Sequence, residues 1–553
     1  MARAGTKTIR LAAAENAIAK PLVLSSNSSP EDIFLATVPL AKRRLRGQFF
    51  TPTPIAKLMA EWVCGGTPER VLDPAAGTGI LLRAVAEVSK APIMFTAFEI
   101  DPKAADLART HGPAKMDVRT ADFLQNATSE SFDGVIANPP YVRHHDASYT
   151  GDVMGSLSKR TGINFSRLSN IYVPFIVKCF EALVDGGRAA VIAPTEWTNA
   201  NFGAGLKKFL YTHDALRDVI YFSHTDTIFS DNLSTACILL MEKKSRRNNE
   251  VRGWFLDSGT RLPSLNELKP GPGVKERIFS GNSLYSARKW NPLFAHGTAI
   301  QHPGLVPLSA IATTKRGLAT GANYFFHLSR VAARKSGLCE TRLLRCIGKA
   351  ADVQGLDFTE ADFRALEMRE RRTRLVDLRG DLTPEEEAYV QGGEASGLSE
   401  RYLLQARKPW YVQEQRTPAP IWAAVFGRTS MRFILNTAKV QSLTTFHGIY
   451  PHVSCKGLKE DDFAKALCAC LNSDFVQTQS SLERRVYGSG LMKFEPRDLL
   501  HIKVPDLRQT PVQILNNLCI TFDALVRKDT TENRAALNSL VVGLTNQCLV
   551  WAS

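Results

Sequence analysis

Residues 70–101 read RVLDPAAGTGILLRAVAEVSKAPIMFTAFEID, and this stretch decides the fold. An apolar run, Val71-Leu72, ends on an acid, Asp73, and the turn Ala75-Ala76-Gly77-Thr78-Gly79 opens directly into an amphipathic run over 79–89. A second apolar run, 93–101, ends on Glu99-Ile100-Asp101. Strand, tight turn, helix and strand in that order make a βαβ unit, with the two strands parallel in a helix-covered sheet. Any ligand of such a sheet lies beyond the carboxyl ends of its strands. The glycines let the backbone approach that ligand with no Cβ in the way.

The same alternation continues outward. Strands are expected at 70–74, 93–101, 132–138, 187–194, 216–222 and 234–243, with helices at 79–89, 103–110, 172–183 and 203–211. The polar run Arg246-Arg247-Asn248-Asn249-Glu250 marks a boundary, and the alternation fades beyond it. The chain therefore reads as an N-terminal arm (1–45), an α/β catalytic domain (46–245) and a mixed α+β region (246–553). Residues 21–31 read as a polar loop. The charged stretch Phe363–Leu378 reads as a solvated connecting helix.

Glu99 ends its strand roughly 20 residues after Gly79, where an acid accepts hydrogen bonds from both hydroxyls of a ribose. A nucleoside cofactor follows. Asp73 at the mouth of the loop would repel a pyrophosphate and attract a cation, such as the sulfonium and ammonium of S-adenosylmethionine. Asp122-Phe123 offers an acceptor and an apolar face to an adenine ring. A bare turn is the other reading of Asp122.

Asn138-Pro139-Pro140-Tyr141 ends the strand 132–138. Two prolines remove two N–H donors and fix φ, leaving the local carbonyls held and available. The Asn138 side-chain carbonyl and the Pro139 carbonyl can accept both hydrogens of an amino group. That aims its lone pair at a methyl donor, so catalysis is mainly positioning. Tyr141 can stack on the substrate ring.

Lys plus Arg total 69 against 54 Asp plus Glu, a formal charge of +15 over 553 residues. Such a balance favours a polyanionic partner. Arg407, Lys408, Arg416, Arg428 and Arg432 lie among Trp410, Tyr411, Trp422, Phe426 and Phe433. They suit phosphate and groove contacts, or an aromatic core under a charged exterior. The ten cysteines are scattered with no C-x-x-C pair, which fits a reducing cytoplasm. No run approaches the roughly 20 apolar residues of a membrane span. His144-His145-Asp146 are adjacent loop residues and make an incomplete metal set, so no metal is expected.

Taken together, these motifs resemble those of the amino-methyltransferases with Asn-Pro-Pro-Tyr, and more narrowly the gamma-class N6-adenine DNA methyltransferases of restriction–modification systems. The resemblance covers 47–243 and implies a Rossmann-like class I methyltransferase domain followed by a target-recognition domain. It implies that Gly47-Gln48-Phe49-Phe50-Thr51-Pro52 packs on the methionine end of the cofactor. Phe50, Thr51, Pro52, Asp73, Ala75, Gly77, Gly79, Glu99, Ile100, Asp122 and Phe123 are then the cofactor residues. Asn138, Pro139, Pro140 and Tyr141 are the catalytic ones, with Phe229 as a second aromatic stacking on the base. The implied substrate is double-stranded DNA with its adenine rotated out of the stack. A companion endonuclease, a monomeric state and a prokaryotic cytoplasmic location complete the expectation.

Two rival readings remain. Asn-Pro-Pro-Tyr also serves methylation of an RNA base or a protein glutamine, and the chain could be a DNA-binding specificity partner without turnover. The long basic segment after the catalytic domain favours DNA over the former, and the intact motif set argues against the latter. Glu242-Lys243-Lys244 matches the E-x-K of nucleases but ends a methyltransferase strand, so modification without cleavage is expected.

Overall fold

The structure is a computed structural model. It describes residues 28–126, 130–142, 151–163, 165, 170–200, 202–222, 236–243, 250–257, 259–287, 289–290, 302–427, 430–452, 457–481, 483–486 and 492–551. Two compact units divide the chain, one of 1–296 with 486–490 and one of 297–485 with 491–553.

Nine strands form the sheet of the first unit: β1 (Arg70–Asp73), β2 (Met94–Phe98), β3 (Met116–Arg119), β4 (Phe132–Ala137), β5 (Leu183–Pro194), β6 (Leu216–Phe222), β7 (Ala236–Glu242), β8 (Glu250–Leu256) and β9 (Val274–Ser280). Their order is β3-β2-β1-β4-β5-β7-β6-β8-β9. The pairs from β3 through β5 are parallel, whereas β7 runs antiparallel between β5 and β6. The order reverses between β1 and β4, and a crevice opens at such a switch point.

The central strands read as unbroken apolar runs because both of their faces are covered. Leu72, Val135, Val191 and Leu239 enter the core on one face. Their neighbours Val71, Ile136, Ile192 and Ile238 enter the core on the other. Six expected strands and all four expected helices form. The helices are α3 (Thr53–Cys64), which was not foreseen, then α4 (Ile80–Val88), α5 (Pro102–His111), α7 (Tyr172–Glu181) and α8 (Gly203–Thr212). An unforeseen α6 (Gly151–Thr161) lies between α5 and α7.

Three expectations need correction. The sheet does not end near 245: β8 and β9 extend it, burying Val251, Trp254 and Leu256, and the contact boundary falls at 296. The arm is not wholly loose. Ser29 caps α1 (Pro30–Thr37), with its Oγ accepting from Asp32 N at 3.1 Å while Asp32 accepts from Ser29 N at 3.2 Å. This capping box with proline in the first turn starts a helix where a loop was expected. α2 (Leu40–Arg46) follows. The stretch 363–378 is not one solvated helix, because a helix over Glu360–Met368 is followed by a strand over Arg372–Val376. Phe363, Leu375 and Val376 are all buried.

In the basic–aromatic stretch of the second unit, where phosphate contacts and an aromatic core under a charged exterior were both open, the structure favours the core. Trp422 and Phe433 are fully buried core residues. Arg432 donates to the carbonyls of Val353 (2.9 Å) and Ala350 (3.3 Å). Arg407 donates to those of Thr320 (3.3 Å) and Ala319, and Arg416 to that of Arg316. These three guanidinium groups brace loops of their own unit, so they are not a ready phosphate surface. Lys408 is exposed, Phe426 is half exposed, and Arg428 lies outside the described residues.

The second unit is mixed α+β as expected. One four-stranded antiparallel sheet pairs 312–316, 446–451, 421–424 and 433–435 in that order. A second sheet joins 327–329, 372–376, 343–347 and 441–442. Helices Glu460–Asn472 and Val512–Arg527 bury Phe463, Leu467, Leu471, Leu515, Leu518 and Phe522 with the first sheet's Phe433. No helix among the described residues is long and apolar enough to cross a membrane.

Candidate active site

A cavity of about 420 Å3 opens at the carboxyl ends of β1, β2 and β4, within the roughly 300–1,000 Å3 usual for small-molecule sites. Its walls bring together Phe50, Thr51, Ala75, Gly77, Glu99, Ile100, Asp122, Phe123, Asn138 and Pro140. Residues as far apart in sequence as Phe50 and Pro140 thus meet at one crevice, because the strands that carry the later ones are neighbours. Pro52, Asp73, Gly79, Pro139 and Tyr141 are not on the walls. Phe229 lies outside the described residues.

The glycine loop is held by Glu99. Its Oε2 accepts from Gly77 N and its Oε1 from Asp101 N, each at 2.8 Å. A carboxylate has about four acceptor sites, so Glu99 can hold the loop and still accept from a ligand. Burial raises its pKa against the opposing pull of those N–H groups. Gly77 has φ +56° and Gly79 φ +86°, left-handed conformations that favour glycine. Gly79 acts behind the wall: it starts α4, and a Cβ there would stand 3.6 Å from that of Ala108. Ile100 is 60% exposed, an apolar side chain bare beside the cavity.

Asp73 sits under the loop and is completely buried. Its Oδ1 accepts from Ala75 N at 3.1 Å, while Oδ2 has no hydrogen-bond partner among the described residues. Burial pushes its pKa up to about 8. A cation bound nearby would relieve that cost, so this donor set fits a sulfonium ligand better than an anion. The raised value has a consequence for stability. Asp73 favours the folded state fully below its ordinary carboxyl pKa, and that contribution is lost as the pH rises through about 8. Thermal melts of the ligand-free protein are expected to show falling stability through that range, with a shallower fall in Asp73→Asn. Identical profiles for the two proteins would refute this.

Asp122 makes the turn and also faces the cavity. Its carboxylate accepts from Leu124 N (2.9 Å) and Gln125 Nε2 (3.0 Å). Phe123 is pinned edge-on to Phe98 at 5.4 Å, and the Lys178 ammonium lies 4.4 Å from its ring centre.

Asn138 donates from Nδ2 to the Phe49 carbonyl (2.8 Å) and to Thr51 Oγ1 (3.0 Å). Both amide hydrogens are spent there, so Oδ1 is the acceptor it keeps. Tyr141 stacks on Phe49 at 5.8 Å and 24°. Gly47 makes the crossing possible: its carbonyl accepts from Tyr141 N at 3.4 Å, and a Cβ on it would stand 2.6 Å from that nitrogen. With φ +66° as well, Gly47→Ala is expected to cost about 1–3 kcal/mol. It should also shift the catalytic loop and lower turnover at least about tenfold. Urea unfolding and initial-rate assays would check both, and unchanged values would contradict this geometry.

The sequence reading missed the wall built by 30–46. Phe34 and Arg46 line the cavity, Phe34 meeting Phe50 edge-on at 5.5 Å. Arg46 pairs with Asp101, and Glu31 accepts from Thr78 Oγ1 and pairs with Arg83 at 2.5 Å. The Ser-Pro-Glu-Asp capping box was the available signal. Glu242 is not a nuclease carboxylate: it is buried, with Arg217 at 3.4 Å and Arg188 at 3.7 Å. No cluster of metal-ligating residues occurs among the described residues, and His144–Asp146 lie outside them.

The chain is similar to known proteins over most of its length. The family described as N-6 DNA Methylase matches residues 32–272, and the C-terminal domain of Type II methyltransferase M.Eco57I matches 295–542. Type II methyltransferase M.AccI from Acinetobacter calcoaceticus is 31% identical over 500 residues, which span 89% of this chain and 92% of that protein. Type II methyltransferase M.XamI from Xanthomonas campestris pv. amaranthicola is 27% identical, over 85% and 87% of the two chains. Among solved structures, the Type IIL restriction-modification enzyme MmeI in complex with DNA aligns with a TM-score of 0.57 at 14% identity. That alignment covers 94% of this chain and 79% of that one, a likeness of fold.

Proposed function

This chain belongs to the type II methyltransferases of restriction–modification systems that methylate adenine N6 in DNA, and on that premise we propose how its residues divide the work. The cofactor is S-adenosylmethionine, which supplies an activated methyl group on a sulfonium. Glu99 accepts from the ribose hydroxyls while holding Gly77, and Ile100 with Phe123 covers the adenine ring. Asp122 accepts from its amino group. Ala75, Gly77, Phe50, Thr51 and Pro52 shape the methionine end, and Gly79 sets the turn into α4. Asp73, buried beneath the loop, ionises more readily once the cationic cofactor is bound.

Asn138 Oδ1 and the Pro139 carbonyl accept the two hydrogens of the adenine amino group, with Pro140 keeping the turn rigid. The base reaches them rotated out of the duplex, stacked against Tyr141 and Phe229. The fixed Asn138 amide is the observation that carries this reading, because its nitrogen is already engaged and only its acceptor is left to serve a donor. The second unit supplies sequence recognition, and the chain acts as a monomer in a prokaryotic cytoplasm, where the DNA is. A separate endonuclease of the same recognition site would be its companion.

Single-molecule sequencing of DNA from cells expressing the protein tests this. N6-methyladenine at one short motif is the expected result. Methylation confined to RNA or to a protein glutamine would overturn it, as would an unmodified genome in cells making folded protein.

A further inference from the structure

We propose that Thr51 is a positioning residue of the catalytic amide, beyond any part it has in the cofactor wall. The inference rests on the proposed role of Asn138. An asparagine amide has two orientations about its last torsion, and only one is useful here. An adenine amino group offers hydrogens, so it needs Oδ1; the flipped amide would offer it a second donor. What selects the orientation is the partner on the other side.

The Phe49 carbonyl can only accept, so the atom 2.8 Å from it has to be Nδ2. Thr51 Oγ1, at 3.0 Å, takes the second amide hydrogen. Flipping the amide would bring two acceptors together at Phe49 and strand Nδ2 at the substrate. Thr51 is 2% exposed, so water does not readily replace its hydroxyl. The two partners lie two residues apart on one extended segment, and the second of them caps no helix: Pro52 holds that position before α3. The hydroxyl oxygen accepts from Asn138 instead. Phe50, between the two partners, faces the cofactor cavity, as does Thr51. One short segment thus seats the methyl donor and orients the methyl acceptor's anchor.

Thr51→Val keeps the shape and removes the hydroxyl, while Thr51→Ser restores it. Losing one neutral hydrogen bond of a pair is expected to lower kcat on duplex DNA about tenfold. Cofactor affinity should stay within about threefold, read by calorimetric titration with S-adenosylmethionine, which also reports a folded protein. Thr51→Ser is expected within about twofold of the unaltered protein. Three results would overturn the proposal: unchanged kcat in Thr51→Val, a fall in cofactor affinity that accounts for the whole loss, or failure of Thr51→Ser to recover. An unaltered protein that methylates no DNA adenine would instead sink the reading of Asn138 itself, so the two failures are separable.

Discussion

Asn138→Ala is expected to lower methyl transfer to DNA by about 100–1,000-fold, with cofactor affinity changed only a few-fold. The magnitude follows from removing one of two acceptors that act where charge develops on the amino nitrogen. Alanine also releases the Phe49 carbonyl and the Thr51 hydroxyl from their shared donor, so a modest loosening of the cofactor wall accompanies the loss. The glycine loop is held from elsewhere, by Glu99, and should keep its shape. Stopped-flow or filter-binding rates on duplex DNA, beside titration with S-adenosylmethionine, separate the two effects. Asn138→Ala with near-normal turnover would contradict the mechanism. So would a variant that fails only because it no longer binds cofactor.

The second large effect is at Glu99. Glu99→Ala removes the acceptor for Gly77 N and Asp101 N together with the acceptor proposed for the ribose hydroxyls. Hydrogen bonds to a charged group contribute about 1.5–3 kcal/mol each. Loss of the ribose pair alone predicts cofactor affinity at least about 100-fold weaker. Glu99→Gln is no gentle change. Its NH2 would face one of two backbone N–H groups that each need an acceptor, so affinity should fall there as well. Binding weakened less than about fivefold in both variants would remove Glu99 from the cofactor site. Asn138→Ala and Glu99→Ala should therefore fail differently, one in turnover and the other in binding.

Much of this was legible in the sequence, for physical reasons that differ along the chain. Strands such as β4 and β7 are buried on both faces, and a run like ACILLME has one reading. β3 was missed because it is a four-residue edge strand, MDVR, with little apolar signal. β8 and β9 were missed because they follow the polar stretch 244–249, which looks like a boundary. The strand Arg372–Val376 was absorbed into the preceding helix, since RTRL offers charges that suit either state.

The candidate site divides in the same way. Its local signals, the glycine loop, Glu99 and Asn-Pro-Pro-Tyr, are carried by neighbours in sequence. The contacts that orient them are not. Asn138 reaches Thr51 across 87 residues, and nothing in either motif announces the other. Arginine donors look alike whether they meet a phosphate or a carbonyl, which is why the sequence leaves Arg407, Arg416 and Arg432 open between the two, whereas the structure shows them bracing loops.

The most direct test of the central claim is nucleoside mass spectrometry of duplex DNA incubated with the protein and S-adenosylmethionine, run beside Asn138→Ala. N6-methyladenine formed by the unaltered protein and nearly absent with the variant is the predicted result. Methylated cytosine in its place, or equal N6-methyladenine from both proteins, would contradict the assignment of Asn138 as the group that presents the adenine amino nitrogen.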